Sequence, residues 1–286
     1  MFSRKSSALV AQAMCAGALA SVVATATPAS AQTIVPCSAS ALSIAITNAN
    51  IAGGGSLVLA PGCTYGLGAA LPDITSPITI NARHSTITRA SADSFGILSV
   101  LAGGNLKITD VTITNGDAPD FGGGIANRGT LTVVNSAIRD NHANFSGGIG
   151  GGFGSTTQIV GTNIMLNRAN VNGGGVANDG NMTVTSSRII NNTAGSAGGG
   201  AANDGILRIV ATNVNENHAG RAGGVANFGP GMTTIVSSNV NSNTATAAPG
   251  GVLNTGGTVA LLASRVRGNV PTNCAGSNIT VPNCTG

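Results

Sequence analysis

The sequence predicts an all-β fold, a single right-handed parallel β-helix with coils of about 25 residues, a period typical of solenoids. First, an asparagine returns at successive spacings of 26, 26, 25, 25, 26 and 26 residues. Second, short segments such as TLTVV from Thr130 and MTVTS from Met182 alternate apolar with polar residues. Third, a glycine cluster begins each repeat, as in GGGVANDG from Gly173. The periodic asparagines are Asn115, Asn141, Asn167, Asn192, Asn217, Asn243 and Asn269.

Helical repeats are excluded because no repeat contains an amphipathic run of ten or more residues. Disorder is also excluded, although the chain has 43 glycines, because only 8% of its residues are charged and aliphatic residues are plentiful. A coil with one apolar face cannot bury that face alone, so the coils must stack. At about 25 residues per coil, we expect about ten coils between the two caps.

The periodic asparagines are interpreted as a structural ladder, in which each side-chain amide bonds to the next coil, rather than as a ligand site. A second set of asparagines stands in Asn-x-Gly elements. These are interpreted as tight turns, since Asn and Gly tolerate positive φ. The second set is Asn127, Asn178, Asn203, Asn227 and Asn254.

Both ends of the chain carry recognisable signals. Residues 1–31 have Arg4 and Lys5, an apolar stretch and a small-residue cleavage site, the pattern of a signal peptide. Residues 32–66 are predicted to form an N-terminal cap and first coil, 67–270 the β-helix, and 271–286 a C-terminal cap. A helix over 38–51, with Ser38 or Ser40 as its N-cap, would cover the first sheet edge.

Four cysteines follow the predicted signal peptide: Cys37, Cys63, Cys274 and Cys284. An even number in an exported chain indicates two disulfides. Of three possible connectivities we predict Cys37–Cys63 with Cys274–Cys284, because a solenoid keeps its ends apart. We expect a secreted protein, extracellular or associated with the cell surface.

The charge pattern narrows the partners. The 13 Lys and Arg residues are scattered rather than gathered in the basic stripe that nucleic acid requires. We therefore expect no nucleic-acid partner, no membrane insertion, a monomer, and an extracellular glycan or protein as ligand. No cofactor is expected; Ca²⁺ would enter only with an enzymatic function.

The N-terminal stretch LSIAITNANIAGGGSLVLAPGCTY resembles the start of the pectate-lyase-like β-helix superfamily, in which a capping helix leads to Gly-Gly, a strand and a turn. The repeats GGGI, GGGV and GGVA with Ile/Val-x-x-Asn resemble those of polymorphic outer-membrane proteins. Together they cover nearly all of residues 32–286 and resemble secreted bacterial β-helix repeat proteins. The resemblance implies the fold; its members include lyases, hydrolases and adhesins.

Two constellations are candidates for chemistry. Asp179 and Asp204 are 25 residues apart, so stacking would place their carboxylates at a spacing that a retaining glycosidase uses, although Asn-Asp-Gly is also a common turn sequence. Asp140 and His142 are two residues apart, and Arg168 follows one coil later, which would suit acid–base work.

Related acidic pairs are weaker candidates. Glu216 and His218 repeat the acid–histidine spacing, and Asp117 with Asp120 offers a possible Ca²⁺ site. The chain has no Trp and one Tyr, which disfavours a high-affinity sugar groove.

None of these acidic residues is assigned as catalytic, because turn formation explains their positions equally well. The sequence therefore favours a secreted, non-catalytic, adhesin-like interaction protein of a surface or matrix. The alternative is an extracellular polysaccharide lyase or glycoside hydrolase. Ice binding through Thr-x-Thr pairs ranks third, because the pairs do not recur at one coil position.

Overall fold

The computed structural model describes residues 32–286, so the predicted signal peptide lies outside the described residues. The described chain is a parallel β-helix with one short helix, which confirms the predicted fold class. It makes about nine turns rather than the expected ten.

The coils contribute strands to three sheets of 17, 6 and 7 strands, here called sheets 1, 2 and 3. Sheet 1 has two parallel stacks, and β4 and β6 are long enough to serve both. The first stack is β2 (Gly55–Leu59), β4 (Pro77–Arg89), β6 (Asn105–Thr114), β9 (Thr130–Val134), β13 (Thr156–Val160), β17 (Asn181–Thr185), β21 (Ile206–Val210), β25 (Met232–Val236) and β29 (Thr258–Leu262), with β1 (Gln32–Val35) beside β2. The second stack adds β3 (Thr64–Leu67), β10 (Ala137–Arg139), β14 (Asn163–Met165), β18 (Arg188–Ile190), β22 (Asn213–Asn215), β26 (Asn239–Asn241) and β30 (Arg265–Arg267).

Sheets 2 and 3 complete the coil. Sheet 2 is β7 (Asp117–Phe121), β11 (His142–Phe145), β15 (Arg168–Ala169), β19 (Thr193–Ala194), β23 (His218–Arg221) and β27 (Thr244–Ala247). Sheet 3 is β5 (Leu98–Val100), β8 (Ile125–Asn127), β12 (Ile149–Gly151), β16 (Val176–Asn178), β20 (Ala201–Asn203), β24 (Val225–Asn227) and β28 (Val252–Asn254).

Aliphatic side chains fill the interior in register. Ile138, Ile164 and Ile189 occupy the same strand position in successive coils and are fully buried. Burying one such side chain contributes about 1.5 to 3 kcal/mol. Because every coil adds its own row, the core is continuous along the helix axis.

Left-handed residues make the corners between strands. Asp140, Asn191 and Glu216 have φ of 54°, 54° and 57°, and each directly precedes a periodic asparagine. A left-handed residue interrupts the alternation of side chains along a strand. The next side chain therefore turns inward, where it needs a hydrogen-bonding partner.

That partner is supplied by a first ladder of asparagines, fully stacked and buried. In each rung the Nδ2 of one asparagine donates to the Oδ1 of the next at 2.9–3.0 Å. The same Oδ1 atoms accept from backbone N–H groups at 2.9–3.1 Å. The first ladder is Asn141, Asn167, Asn192, Asn217, Asn243 and Asn269, and Asn273 ends it by accepting from Asn269 at 3.0 Å.

Asn115 does not belong to this ladder, contrary to the prediction. It lies at the left-handed corner position with φ 60°, equivalent to Asp140 one coil later. The ladder position in this coil is Gly116, whose N–H donates to Asn141 Oδ1 at 2.9 Å. The jitter of one residue in the repeat concealed this shift.

The Asn-x-Gly asparagines form a second ladder instead of the predicted turns. They end the strands of sheet 3, are buried, and have no positive φ. Asn178 Nδ2 donates to Asn203 Oδ1 at 2.8 Å, and Asn203 to Asn227 Oδ1 at 3.0 Å. Asn227 continues to Asn254 at 3.2 Å. The interpretation as positive-φ turns is wrong because these residues belong to the strands.

The serine or threonine of the Ser/Thr-x-Ile/Val-x-x-Asn segments also has a structural role. Its hydroxyl accepts the N–H of the equivalent residue in the preceding coil, as Ser187 Oγ does from Thr162 at 3.1 Å and Thr212 Oγ1 from Ser187 at 3.2 Å. All three recurring polar positions therefore satisfy buried backbone groups.

The N-terminal helix α1 (Ala39–Ile51) confirms the predicted cap. Ser38 is the N-cap, and its Oγ accepts from Ala41 N at 3.1 Å. Leu42 and Ile46 face the interior and are fully buried. The open end of the aliphatic core is thereby closed.

Both predicted disulfides are present, Cys37–Cys63 and Cys274–Cys284. Their Cα atoms are 5.7 and 6.2 Å apart. Disulfides persist in oxidising compartments, which indicates an extracellular environment. Among residues 32–286 no helix has the length and apolar character needed to cross a membrane.

Candidate functional site

The predicted Asp140–His142–Arg168 constellation is not assembled. His142 Nδ1 lies 2.7 Å from Asp117 Oδ1, and its Nε2 lies 3.1 Å from Asn170 Oδ1. Asp140 is paired with Arg139. Asp140 and His142 both face outward onto one open basin, with the buried Asn141 between them, but each side chain is paired with a different partner.

His142 makes a surface contact with a carboxylate. Hydrogen bonds from Ser94 and then His142 hold the pKa of Asp117 below its ordinary value. The basin beside His142 is shallow, and Arg168 is not part of its lining, although Arg168 is in register with His142. Both ring nitrogens have protein partners, so a substrate would have to displace Asn170 to reach Nε2.

The second acid–histidine pair is not formed either. Glu216 is a left-handed corner residue with φ 57°, and His218 Nδ1 lies 2.9 Å from Thr244 Oγ1. Asp117 and Asp120 also separate, since Asp117 contacts His142 whereas Asp120 lines a different cleft. Within residues 32–286 there is no group of three or more His, Cys, Asp or Glu side chains placed to hold a metal ion.

Asp179 and Asp204, by contrast, are stacked in a cleft on the outer face of sheet 3. Each directly follows a second-ladder asparagine, and Asn178 and Asn203 pair in register. The cleft has a volume of about 440 Å³. We call it the phenylalanine cleft, and it is lined by Asp120, Phe121, Arg128, Phe145, Gly152, Phe153, Asn172, Ala177, Asp179, Ala202, Asp204 and Phe228.

Small residues form the floor of this cleft. The middle residue of each sheet 3 strand faces outward, and in most coils it is alanine, as at Ala177 and Ala202. At the C-terminal side the floor ends where Leu253 packs with Ala226 and Phe228 in a separate apolar cluster. Without large side chains, the floor leaves room for a ligand.

One coil departs from this pattern and shapes the cleft. Gly150 replaces the alanine of the neighbouring coils, and a Cβ there would approach Phe121 Cε1 to 2.6 Å. The Phe121 ring therefore lies over Gly150, and the Arg128 guanidinium lies 5.9 Å from the ring centroid, a cation–π distance. Gly151 also interrupts the second ladder, leaving Asn178 Oδ1 without a partner.

Phenylalanine is concentrated in this cleft. Phe121, Phe145, Phe153 and Phe228 account for four of the chain's six phenylalanines. Phe153 is 93% exposed. The low aromatic content of the sequence disfavours a high-affinity sugar groove, but four of the few aromatic side chains converge on this one cleft.

The signal was present in the coil register. Phe121 and Phe145 pair in register on sheet 2, and Gly150 stands where the other coils have alanine.

The cleft alters the acidity of Asp179 and Asp204. Loss of hydration against the cleft wall raises the pKa of Asp179 and of Asp204, and the charge of Asp179 raises the pKa of Asp204 further. Both residues stay open to solvent at the rim. They thus remain accessible to a ligand while being incompletely hydrated.

Comparison with known proteins gives no family assignment. No protein-family model matches the chain, and no curated protein matches it.

Proposed function

We propose that this protein is an exported, non-catalytic, adhesin-like protein that binds glycans at a cell surface or in a matrix through the phenylalanine cleft. The observation that carries the proposal is the convergence of four phenylalanines on one cleft of an otherwise aromatic-poor chain. Exposed aromatic faces are unfavourably hydrated, and clusters of them commonly mark binding sites.

The scaffold supports recognition by a rigid surface. The floor belongs to sheet 3, whose strands are tied to their neighbours by the second ladder. A site on strands loses little conformational entropy when a ligand binds. A glycan suits the arrangement better than a folded protein, because the cleft is concave and offers ring-sized apolar surfaces beside polar rim groups.

A glycoside hydrolase is the alternative function. Its catalytic site would lie in the phenylalanine cleft and not at His142. Asp179 and Asp204 are one coil apart, which is roughly 4.8 Å for stacked parallel strands. Hydrolysis requires one carboxyl group that holds a proton and one that is ionised. The stacking of these two carboxyl groups in one cleft is the observation in its favour, and the charge of Asp179 raises the pKa of Asp204.

We further propose that the protein is a bacterial member of the pectate-lyase-like superfamily, secreted after removal of residues 1–31. Support comes from the capping helix, the coil architecture and the LSIAITNANIAGGGSLVLAPGCTY stretch. A lyase acting on acidic polysaccharides at this cleft is disfavoured, because three aspartates and one arginine line it.

The substitution Gly150→Ala tests the cleft without threatening the fold. Alanine occupies this position in neighbouring coils, so the strand accepts it, but its Cβ would displace the Phe121 ring. On a glycan array we expect the wild type to bind a defined set and the variant to lose at least about tenfold in affinity, near 1.4 kcal/mol. The melting temperature should change little.

The control is Gly68→Ala, an exposed glycine with ordinary φ whose Cβ would meet no atom within 4 Å. Its binding should equal that of the wild type. Unchanged binding by Gly150→Ala would remove the cleft from the proposal. If the protein releases new reducing ends from a glycan and Asp204→Asn abolishes that release, the protein is a hydrolase and not a binding protein. If it captures a protein but no glycan, the ligand is a protein.

A further inference from the structure

We infer that the glycan held in the phenylalanine cleft carries protonated amino sugars, whose ammonium groups lie against the carboxylates of Asp179 and Asp204 while the sugar rings pack on the phenylalanines. This inference rests on the proposed function and names its ligand class. It is carried by the cleft's charge, its aromatic walls and the spacing of its coils.

The charge of the cleft is opposite to that of the chain. Without residues 1–31, which contain Arg4 and Lys5, the chain has 11 Lys and Arg against 9 Asp and Glu, a formal net charge of +2. Asp120, Asp179 and Asp204 nevertheless line the cleft against the single cation Arg128, so a cationic ligand is attracted to this place. Such local complementarity selects a cationic ligand and disfavours an anionic one.

The carboxylates available for that ligand are not already neutralised. Arg128 is placed over the Phe121 ring at one end of the cleft. The ion pairs found in residues 32–286 are Arg139–Asp140 and His142–Asp117, so neither Asp179 nor Asp204 is paired with a protein cation. Two neighbouring carboxylates facing the same space repel each other until a cation lies between them.

The geometry of the cleft also requires that the ligand have an apolar surface next to its positive charge. Phe121 lies over Gly150, and Phe228 packs at the other end beside Ala226. Ala177 and Ala202 form the open floor between them, a length of two coils or roughly 10 Å. A sugar ring with an ammonium substituent offers an apolar C–H face and a cation, both of which aromatic side chains attract.

The acidity of the rim agrees with a cationic ligand. Partial burial raises the pKa of Asp179 and of Asp204, and the charge of Asp179 raises that of Asp204 further. A bound ammonium group favours their ionised forms, so it lowers both pKa values and releases protons in the acidic range. Affinity should therefore fall as the pH drops through the carboxyl range.

The experiment compares two oligosaccharides of one backbone that differ in charge. Isothermal titration of the purified protein with a β-1,4-linked glucosamine tetramer, and with its fully N-acetylated counterpart, is done at pH 5.5 and at pH 3.5, so that the amino groups stay protonated at both. We expect the glucosamine tetramer to bind at least tenfold more tightly at pH 5.5, with the preference reduced at pH 3.5. The double variant Asp179→Asn/Asp204→Asn should lose the preference.

Asp73→Asn, at an exposed acid outside the cleft lining, is the matched control and should keep the preference. Equal binding of both tetramers, or a preference that survives the double variant, overturns the amino-sugar inference and leaves glycan binding intact. The inference alone is also overturned if neither tetramer binds while other glycans on the array bind to the wild type and lose affinity for Gly150→Ala. No glycan binding of any kind overturns the proposed function with it.

Discussion

The two asparagine ladders use the same chemistry and differ in continuity. The first ladder runs without interruption from Asn141 to Asn269, and each amide both donates and accepts. The second is broken at Gly151, where Asn178 Oδ1 has no partner and Asn127 donates instead to Thr157 Oγ1 at 2.9 Å. The break coincides with Gly150, the floor position that accommodates Phe121. Regularity here serves the fold, and the departure from it shapes the surface.

The strongest way to test this comparison is to remove an amide from the unbroken ladder. Asn192→Ala deletes the Oδ1 that accepts from Asn167 and the Nδ2 that donates to Asn217 and Ile164. Several buried groups lose their partners at about 1 to 3 kcal/mol each, partly offset by relaxation. We expect the free energy of unfolding to fall by about 3 to 5 kcal/mol in urea titrations.

The exposed Asn163, whose side chain lies on the outer face of β14, provides the control. Asn163→Ala should change stability by less than about 0.5 kcal/mol. A similarly small loss for Asn192→Ala would mean that the ladder does not stabilise the coils.

Removing an amide at the break should cost less. Asn178 donates to Asn203 Oδ1 and to Gly180 O, but its own Oδ1 accepts nothing. Asn178→Ala therefore orphans groups on one side, and we expect a loss of about 1 to 3 kcal/mol in the same titration. Equal losses for Asn178→Ala and Asn192→Ala would show that the gap at Gly151 has no energetic consequence.

The charges beside the two ladders provide the smallest and most specific contrast. The pKa of Asp117, which contacts His142 next to Asn141, is lowered, so its stabilising contribution is present at neutral pH and lost as the pH falls through its folded pKa. The pKa of Asp204, next to Asn203, is raised, so its contribution favours the fold at low pH and is lost as the pH rises through its folded pKa.

Thermal unfolding between pH 3 and 7 should separate the two signs. At pH 7 Asp117→Asn is expected to melt below the wild type and Asp204→Asn slightly above it, and both differences should shrink as the carboxyl groups become protonated. Shifts of the same sign would contradict the opposite environments of these two acids.

The period revealed the fold because buried amides must repeat in every coil. It did not separate Asn115 from Gly116, since one-residue jitter hides which residue takes the left-handed corner. Strand alternation fails between Arg139 and Asp140, which both face outward, because the left-handed Asp140 makes a corner that the sequence does not mark.

The second ladder and the cleft were harder to foresee. Asn-x-Gly is ambiguous between a turn and a strand end, and only pairing along sheet 3 resolves it. Phe121, Phe153 and Phe228 are far apart in sequence and at different coil positions, so three-dimensional stacking was needed to bring them together. Asp179 and Asp204 were correctly predicted to stack, because both follow the same repeat element.

The coil also acts as a unit of length. An additional coil inserted after Asn243, beyond Phe228, would extend the scaffold while preserving every distance across the phenylalanine cleft. The same coil inserted after Asn167 would move Phe121 away from Asp179 by one rung, roughly 4.8 Å. The distance between Phe121 and the two aspartates can therefore change only in steps of one coil. Point substitutions can change these side chains but not the distance between the coils that carry them.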